Sequence, residues 1–322
     1  MAVEIDEVFV PGESARIERK SFIHPDRVFK GVVGFFAALV IILAVWLGIQ
    51  LYSSSRLAIN SIGFWKFVEG TTWDPVTGDF GALTFIYGTL VTSFLSLLIA
   101  TPLGVGTAIF LAELSPKWLK RTLQPLIELL AGIPSVIYGL WGVFVLSPIM
   151  ASTVEPFLMR NFGFLPFFRG YPLGIGFLTA SLILAIMIVP FIISVSTEVL
   201  STVPNQLKEG MYALGATRWE TLKRVAVPYA KSGIFGSIIL ALARALGETM
   251  AVTMVIGNTP QISKSLFDPG YSMAAVIANE FTEATTDSYL SALITVAFIL
   301  LLITLIVNGI ARWLIWRTTR TI

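Results

Sequence analysis

Six stretches of this chain stay apolar for longer than a globular core requires. They cover residues 30–52, 83–111, 124–150, 173–199, 233–256 and 290–315. About 20 such residues carry a helix across a bilayer. Inside lipid every backbone N–H and C=O must find its partner within the protein, and only helices and closed barrels achieve this. Runs of this length select the helix. The chain therefore reads as an all-α integral membrane protein with six transmembrane helices. Composition agrees, with 55% hydrophobic and 13% charged residues, the latter about half the share usual in soluble proteins. The runs at 83–111 and 124–150 exceed the minimum and contain Pro102 and Pro134, which predicts tilt or kinks. The first run is of full helix length and begins some way into the chain, so it reads as a span and not as a cleaved leader.

Orientation follows from the basic residues. Of 22 lysines and arginines, sixteen fall in the N-terminal tail, the 112–122 loop, the 200–232 segment and the C-terminus. Five fall in the opposite loops, and the last is Arg244. This bias predicts cytoplasmic termini. The organisation expected is a cytoplasmic tail over 1–29, a membrane domain over 30–316 and a short cytoplasmic end over 317–322. The tail begins acidic, and disorder is expected to about residue 18, with residues 21–31 lying along the interface. Trp141, Trp313 and Trp316 read as packing residues or interfacial anchors in contact with lipid.

Several chemistries are excluded. With no cysteine and one histidine, His24, the chain can form no disulfide, thiol nucleophile or Cys/His zinc site. No G-x-x-x-x-G-K-[ST] loop occurs, so it is not an ATPase of that kind. No cofactor or metal is expected in the chain. The basic residues are not interleaved with stacking aromatics, which argues against nucleic acid.

The segment from Val203 to Ala230 reads as two short helices in the most basic loop. Pro204 suits a first helical turn, and Leu207, Met211 and Leu214 make an apolar stripe. Gly215 can end that helix in a left-handed conformation. Thr217 and Glu220 spell a capping box that starts the second helix, and Pro228 marks its end. This knob is either a solvated connector or a helix that docks in a partner's groove.

Arg244 and Glu248 stand within the fifth apolar run. Counted from Ser232, Arg244 lies about 12 residues, or about 18 Å, into the span, and a lone charge near the bilayer centre costs at least ~2.5–3.5 kcal/mol. Four residues apart on one helix, the two can partly neutralise each other. Ala241 with Ala245, and Ala243 with Gly247, allow close helix approach. One reading is an intrahelical ion pair that fixes packing. The other is a translocation path. There the guanidinium's forked donors match a tetrahedral oxyanion, and Glu248 tempers the attraction so that the ion is released. Glu128, placed early in the third span, is a loop-paired acid or a gate partner for a basic group. Ser135, beside Pro134, bonds back to its helix or offers a hydroxyl to the path. Residues 272–284, with Asn279, Glu280 and Glu283, form a solvated outer loop or a short interfacial helix that touches a binding protein.

Two resemblances rest on these residues. Glu209-Gly210-Met211, Gly215, Val225, Val227 and Pro228 keep the spacing of the EAA loop of ABC-transporter permeases, with Gly210 and Met211 where that motif has alanines. "ARALGETMAVTMVIGN" (243–258), "LIELLAGIPSVIYGLWG" (126–142) and "SLFDPGYSMAAVIANEF" (265–281) resemble the PstC family of phosphate ABC permeases over about residues 30–315. The resemblance implies a MetI-like permease fold in the inner membrane, importing inorganic phosphate by alternating access. It implies as partners a PstA-like permease, two PstB-like ATPases that bind ATP and magnesium, and a PstS-like phosphate-binding protein. Leu207, Glu209, Gly210, Met211, Gly215 and Pro228 would then couple to the ATPase, and Arg244 and Glu248 would be the family's functional arginine and glutamate. Charge logic alone leaves open sulfate or molybdate as cargo, an ion-coupled secondary transporter, or a membrane scaffold.

Overall fold

The structure, a computed structural model, describes the backbone of residues 25–319 and side chains from 29 to 317. The expectations for the tail up to residue 24 and for residues 320–322 lie outside the described residues. Eleven helices and one hairpin are described: α1 (Pro25–Ile62), α2 (Phe64–Glu69), β1 (Trp73–Asp74), β2 (Asp79–Phe80), α3 (Leu83–Leu114), α4 (Lys117–Ala131), α5 (Ser135–Phe162), α6 (Phe177–Ser201), α7 (Asn205–Ala213), α8 (Arg218–Leu246), α9 (Met250–Val255), α10 (Met273–Glu280) and α11 (Asp287–Thr319). Six of them, α1, α3, α5, α6, α8 and α11, are long and apolar enough to cross a membrane. Of the described residues, 25–49, the first part of α1, form one unit, and Gln50 onward form another.

Within the second unit α6 is the central helix. It packs on α3, α8, α4 and α9, and Ile183, Leu184, Met187, Ile188 and Ile192 are fully buried along it. Close approach is made by glycine. A Cβ on Gly104 of α3 would stand 2.7 Å from the Ile192 side chain, nearer than carbon atoms can pack. Several buried hydroxyls turn back to their own helices, as Thr92 does to the Gly88 carbonyl at 2.8 Å, and are satisfied without water. A second apolar cluster joins the hairpin, α10 and α11, where the rings of Phe80 and Tyr289 stack at 5.6 Å. A third joins the ends of α3, α6 and α8 through Ala108, Leu200, Val203, Ala230 and Ile234.

Among the described residues four π turns occur, at Phe110–Leu114, Gly142–Leu146, Met150–Val154 and Leu222–Ala226. Each ends two residues before a proline: Pro116, Pro148, Pro156 and Pro228. A proline supplies no N–H, and its ring clashes with the carbonyl four residues earlier. The extra residue of a π turn swings that carbonyl aside, so α5 and α8 run on through their prolines.

This corrects three expectations. Pro228 does not end a helix; it lies inside α8, which joins the docking loop to the fifth span without interruption. The third span is not 124–150. Residues 117–131 form a separate amphipathic helix, α4, with no buried residue, and the span starts at Ser135 after a break at Gly132–Pro134. Pro134 cannot donate, and it disfavours helical geometry at Ile133. The fifth span is not continuous to 256, because α8 ends at Leu246 and only α9 follows.

Candidate functional site

The break between α8 and α9 follows Arg244 and contains Glu248. Gly247 closes α8, Thr249 opens α9, and the Glu248 carboxylate accepts a hydrogen bond from the Ala251 N–H at 3.1 Å. It thus satisfies an amide that the helix start leaves without a partner. The two residues therefore do not form the intrahelical pair that their spacing predicts. Arg244 stands in the last turn of α8, where the carbonyl ends of the helix favour a cation. Its side chain is half-buried. Among the described residues the ion pair found joins Lys208 and Glu113, and no carboxylate pairs with Arg244.

Tyr138 of α5 is buried in the same apolar cluster as Ala241 and Ala245, the small residues of the α8 turns that carry Arg244. The Tyr138 hydroxyl donates to the Leu130 carbonyl at 2.9 Å, bridging the break at 132–134. The two interrupted helices meet here. α9 rests on α5 where Gly139 and Gly142 leave room, since a Cβ on Gly139 would lie 3.2 Å from Ala251 Cα and one on Gly142 would lie 2.8 Å from Val255 Cγ1. Ala241 and Ala245 of α8 are buried in the same core, and Ser237 bonds to Ser196 of α6 at 2.8 Å. Interrupted helices in a membrane put polar backbone beside a cavity or a protein contact.

Ser135 opens α5, half-buried, one turn before Tyr138. Glu128 is elsewhere. It is exposed on α4 and accepts from Gln124 at 3.2 Å, on the other side of the break from Ser135. Sequence reasoning missed Tyr138. A single tyrosine in an apolar span carries no signal until the break that its hydroxyl spans is known.

The docking loop is built as its residues predict, apart from Pro228. Gly215 has φ +82°. Its N–H donates to the Tyr212 carbonyl at 2.9 Å and the Ala216 N–H to that of Met211 at 3.1 Å, which is a Schellman close of α7. Thr217 and Glu220 make both bonds of the capping box. Leu214 is 85% and Leu207 45% exposed, Met211 and Pro228 are half-buried, and Glu209 and Gly210 are exposed. Lys208 reaches Glu113 at the end of α3, 2.6 Å away, a contact the sequence does not announce.

The segment before α11 is no solvated loop. Ser272 caps α10 by accepting from Ala275 at 3.2 Å, and Met273 to Val276 are buried. Glu280 accepts from the Trp73 indole and the Tyr289 hydroxyl, both at 2.7 Å. Asn279 donates to Tyr271 at 3.1 Å, and burial pushes the Tyr271 phenol up. Glu283 is exposed.

Comparison with known proteins returns one consistent likeness. The profile "Binding-protein-dependent transport system inner membrane component" matches residues 100–320. "Phosphate transport system permease protein PstC" of Mesorhizobium japonicum is 49% identical over 302 residues, 92% of each chain. The protein of that name from Xylella fastidiosa is 48% identical over 299 residues, again 92% of each. Among solved structures, a chain of a bacterial alginate ABC transporter superposes with a TM-score of 0.59 at 18% identity, over 92% of this chain and 98% of that one. That last match is one of fold alone.

Proposed function

The chain belongs to the PstC family of binding-protein-dependent inner membrane permeases, and we propose that it works as the permease subunit of an ATP-driven importer of inorganic phosphate. The observation that carries this is the near-half identity to phosphate permeases along nine-tenths of the chain. The chain itself is a transport subunit and not an enzyme. ATP and magnesium belong to two PstB-like ATPases seated on the docking loop. A PstA-like permease completes the pore, and a PstS-like protein delivers phosphate to the outer face formed by the hairpin and α10. The charge bias puts both termini and the docking loop in the cytoplasm of a cell whose inner membrane holds the complex.

The break between α8 and α9 suits this work. Arg244 offers a cation that no carboxylate of the described residues neutralises, half-exposed on a face that the second permease covers. A planar guanidinium donates two parallel hydrogen bonds to an oxyanion. With only one such residue, in place of a cage of donors, the ion is held briefly and can leave. Glu248 contributes indirectly by fixing the start of α9. Ser135, at the start of α5, is a second polar contact, whereas Glu128 on α4 lies outside this path. Closure of the ATPases moves the docking loop, and α8 carries that motion without a joint from Arg218 to Arg244.

Uptake of labelled phosphate into proteoliposomes holding the full complex tests the proposal. ATP and the binding protein should both be required, and excess sulfate should not compete. Uptake driven by an ion gradient without ATP, or equal competition by sulfate, would defeat it.

A further inference from the structure

We propose that Glu113 and Lys208 form the rigid link through which motion of the docking loop reaches the second membrane span. Both are positioning residues for ATP-driven transport, and the inference rests on the proposed phosphate-importer function. Their charged atoms are 2.6 Å apart, and the side chains are only 13% and 15% exposed. An exposed pair of this kind would be weak and easily separated. A shielded, charge-assisted contact at this distance resists separation far better.

The surroundings favour transmission over simple adhesion. On the loop side, Lys208 sits in α7 beside the exposed apolar stripe of Leu207 and Leu214. The Schellman close at Gly215 and the capping box at Thr217 make the knob stiff. On the span side, Glu113 lies in the π turn Phe110–Leu114 that ends α3. One extra residue rotates the rest of the turn by about 100° relative to an α-helix, which is a device for aiming a side chain. Beneath the pair, Ala108 of α3 is packed with Val203, Ala230 and Ile234, so both flanks of the loop grip the same helix end.

The far end of α3 is also tied down. Thr89 accepts a hydrogen bond from the Met273 N–H at 2.9 Å, at the start of α10. A single helix therefore runs from the pair at the docking loop to the outer helix α10, and a displacement of α7 is delivered to the face where phosphate would arrive. The π turn, the shielded ion pair and the Thr89 contact are not needed to anchor a passive loop, which the apolar cluster alone would hold.

The chain has no cysteine, so it contributes no background labelling of its own. Spin labels at Q206C on α7 and L103C on α3, both exposed positions, report the distance from loop to span in the assembled transporter. In the parent complex that distance should be the same with and without ATP. In E113Q it should broaden or split when ATP is added, and phosphate moved per ATP hydrolysed should fall about fivefold or more. The charge-reversed pair E113K/K208E should restore both readouts. An E113Q transporter with unchanged ratio and unchanged distance would overturn the proposal. So would a parallel loss of transport, ATPase activity and assembly that the reversed pair does not rescue, since that marks a structural role only. If the parent complex hydrolyses ATP without moving phosphate, the functional reading fails, and the label distances still decide the link.

Discussion

Arg244 stands in the last turn of α8 and Glu248 in the break that follows it, and the Glu248 carboxylate accepts from the Ala251 amide. Two residues that the sequence pairs are given separate tasks by the fold. Glu248 holds a helix start, and Arg244 keeps an unneutralised charge in the last turn of α8.

Arg244→Ala should slow phosphate uptake strongly while the complex still assembles and hydrolyses ATP. Loss of hydrogen bonds to a charged ion costs about 1.5–3 kcal/mol, or about 10- to 100-fold in transport rate. Arg244→Lys should retain a charge but lose the fork, and so fall between the two. Glu248→Gln keeps an acceptor for Ala251 and should preserve thermal stability, whereas Glu248→Ala should lose about 1 kcal/mol. Uptake rates and melting of the purified chain separate these outcomes. An Arg244→Ala transporter of normal rate would remove this residue from the path.

Gly215 and Gly210 should respond in opposite directions to the same change. Gly215 has φ +82°, so Gly215→Ala strains the loop by about 1–2 kcal/mol. It should weaken retention of the ATPase on co-purification. Gly210 lies inside α7 with open space where a Cβ would stand. Gly210→Ala should stabilise α7 by about 0.5–1 kcal/mol and leave ATPase retention intact.

Gly139→Ala tests the contact between the two interrupted helices. The added methyl would press on Ala251 Cα at 3.2 Å and on the Met254 side chain. Overpacking of this kind costs about 1–3 kcal/mol. Because the element displaced is α9, uptake should fall by more than the loss of stability explains. Comparison of transport with melting temperature checks this.

Tyr271 gives an alkaline limit to the outer face. Burial raises its phenol above the usual value, and Asn279 donates to it. A group with a raised folded value favours the neutral form in the fold. Its contribution is complete below the unfolded value of about 10 and is lost as pH climbs beyond it. The outer cluster should therefore be insensitive to pH between about 6 and 9 as far as this residue is concerned. It should loosen above about 10, with phenolate absorbance appearing together with loss of structure. Tyr271→Phe should remove that coincidence. A phenolate that forms at ordinary pH in the folded chain would contradict it.

The features legible in the residues alone are those that depend on local chemistry. Long apolar runs dictate helices in lipid because backbone groups there have no other partner. Gly215, Thr217 and Glu220 specify the docking turn because each cap is closed by residues within five positions. Where helices stop, and what their polar residues meet, was settled by packing in three dimensions. Pro228 lies inside a helix, just after a π turn, whereas Pro134 stands at a break, and Pro102 and Pro190 lie within helices with no such turn before them. Ser196 finds Ser237, and Glu113 finds Lys208 across 95 positions of chain. No local rule encodes those meetings, for they arise only when α3, α5, α6 and α8 bury their small residues against one another.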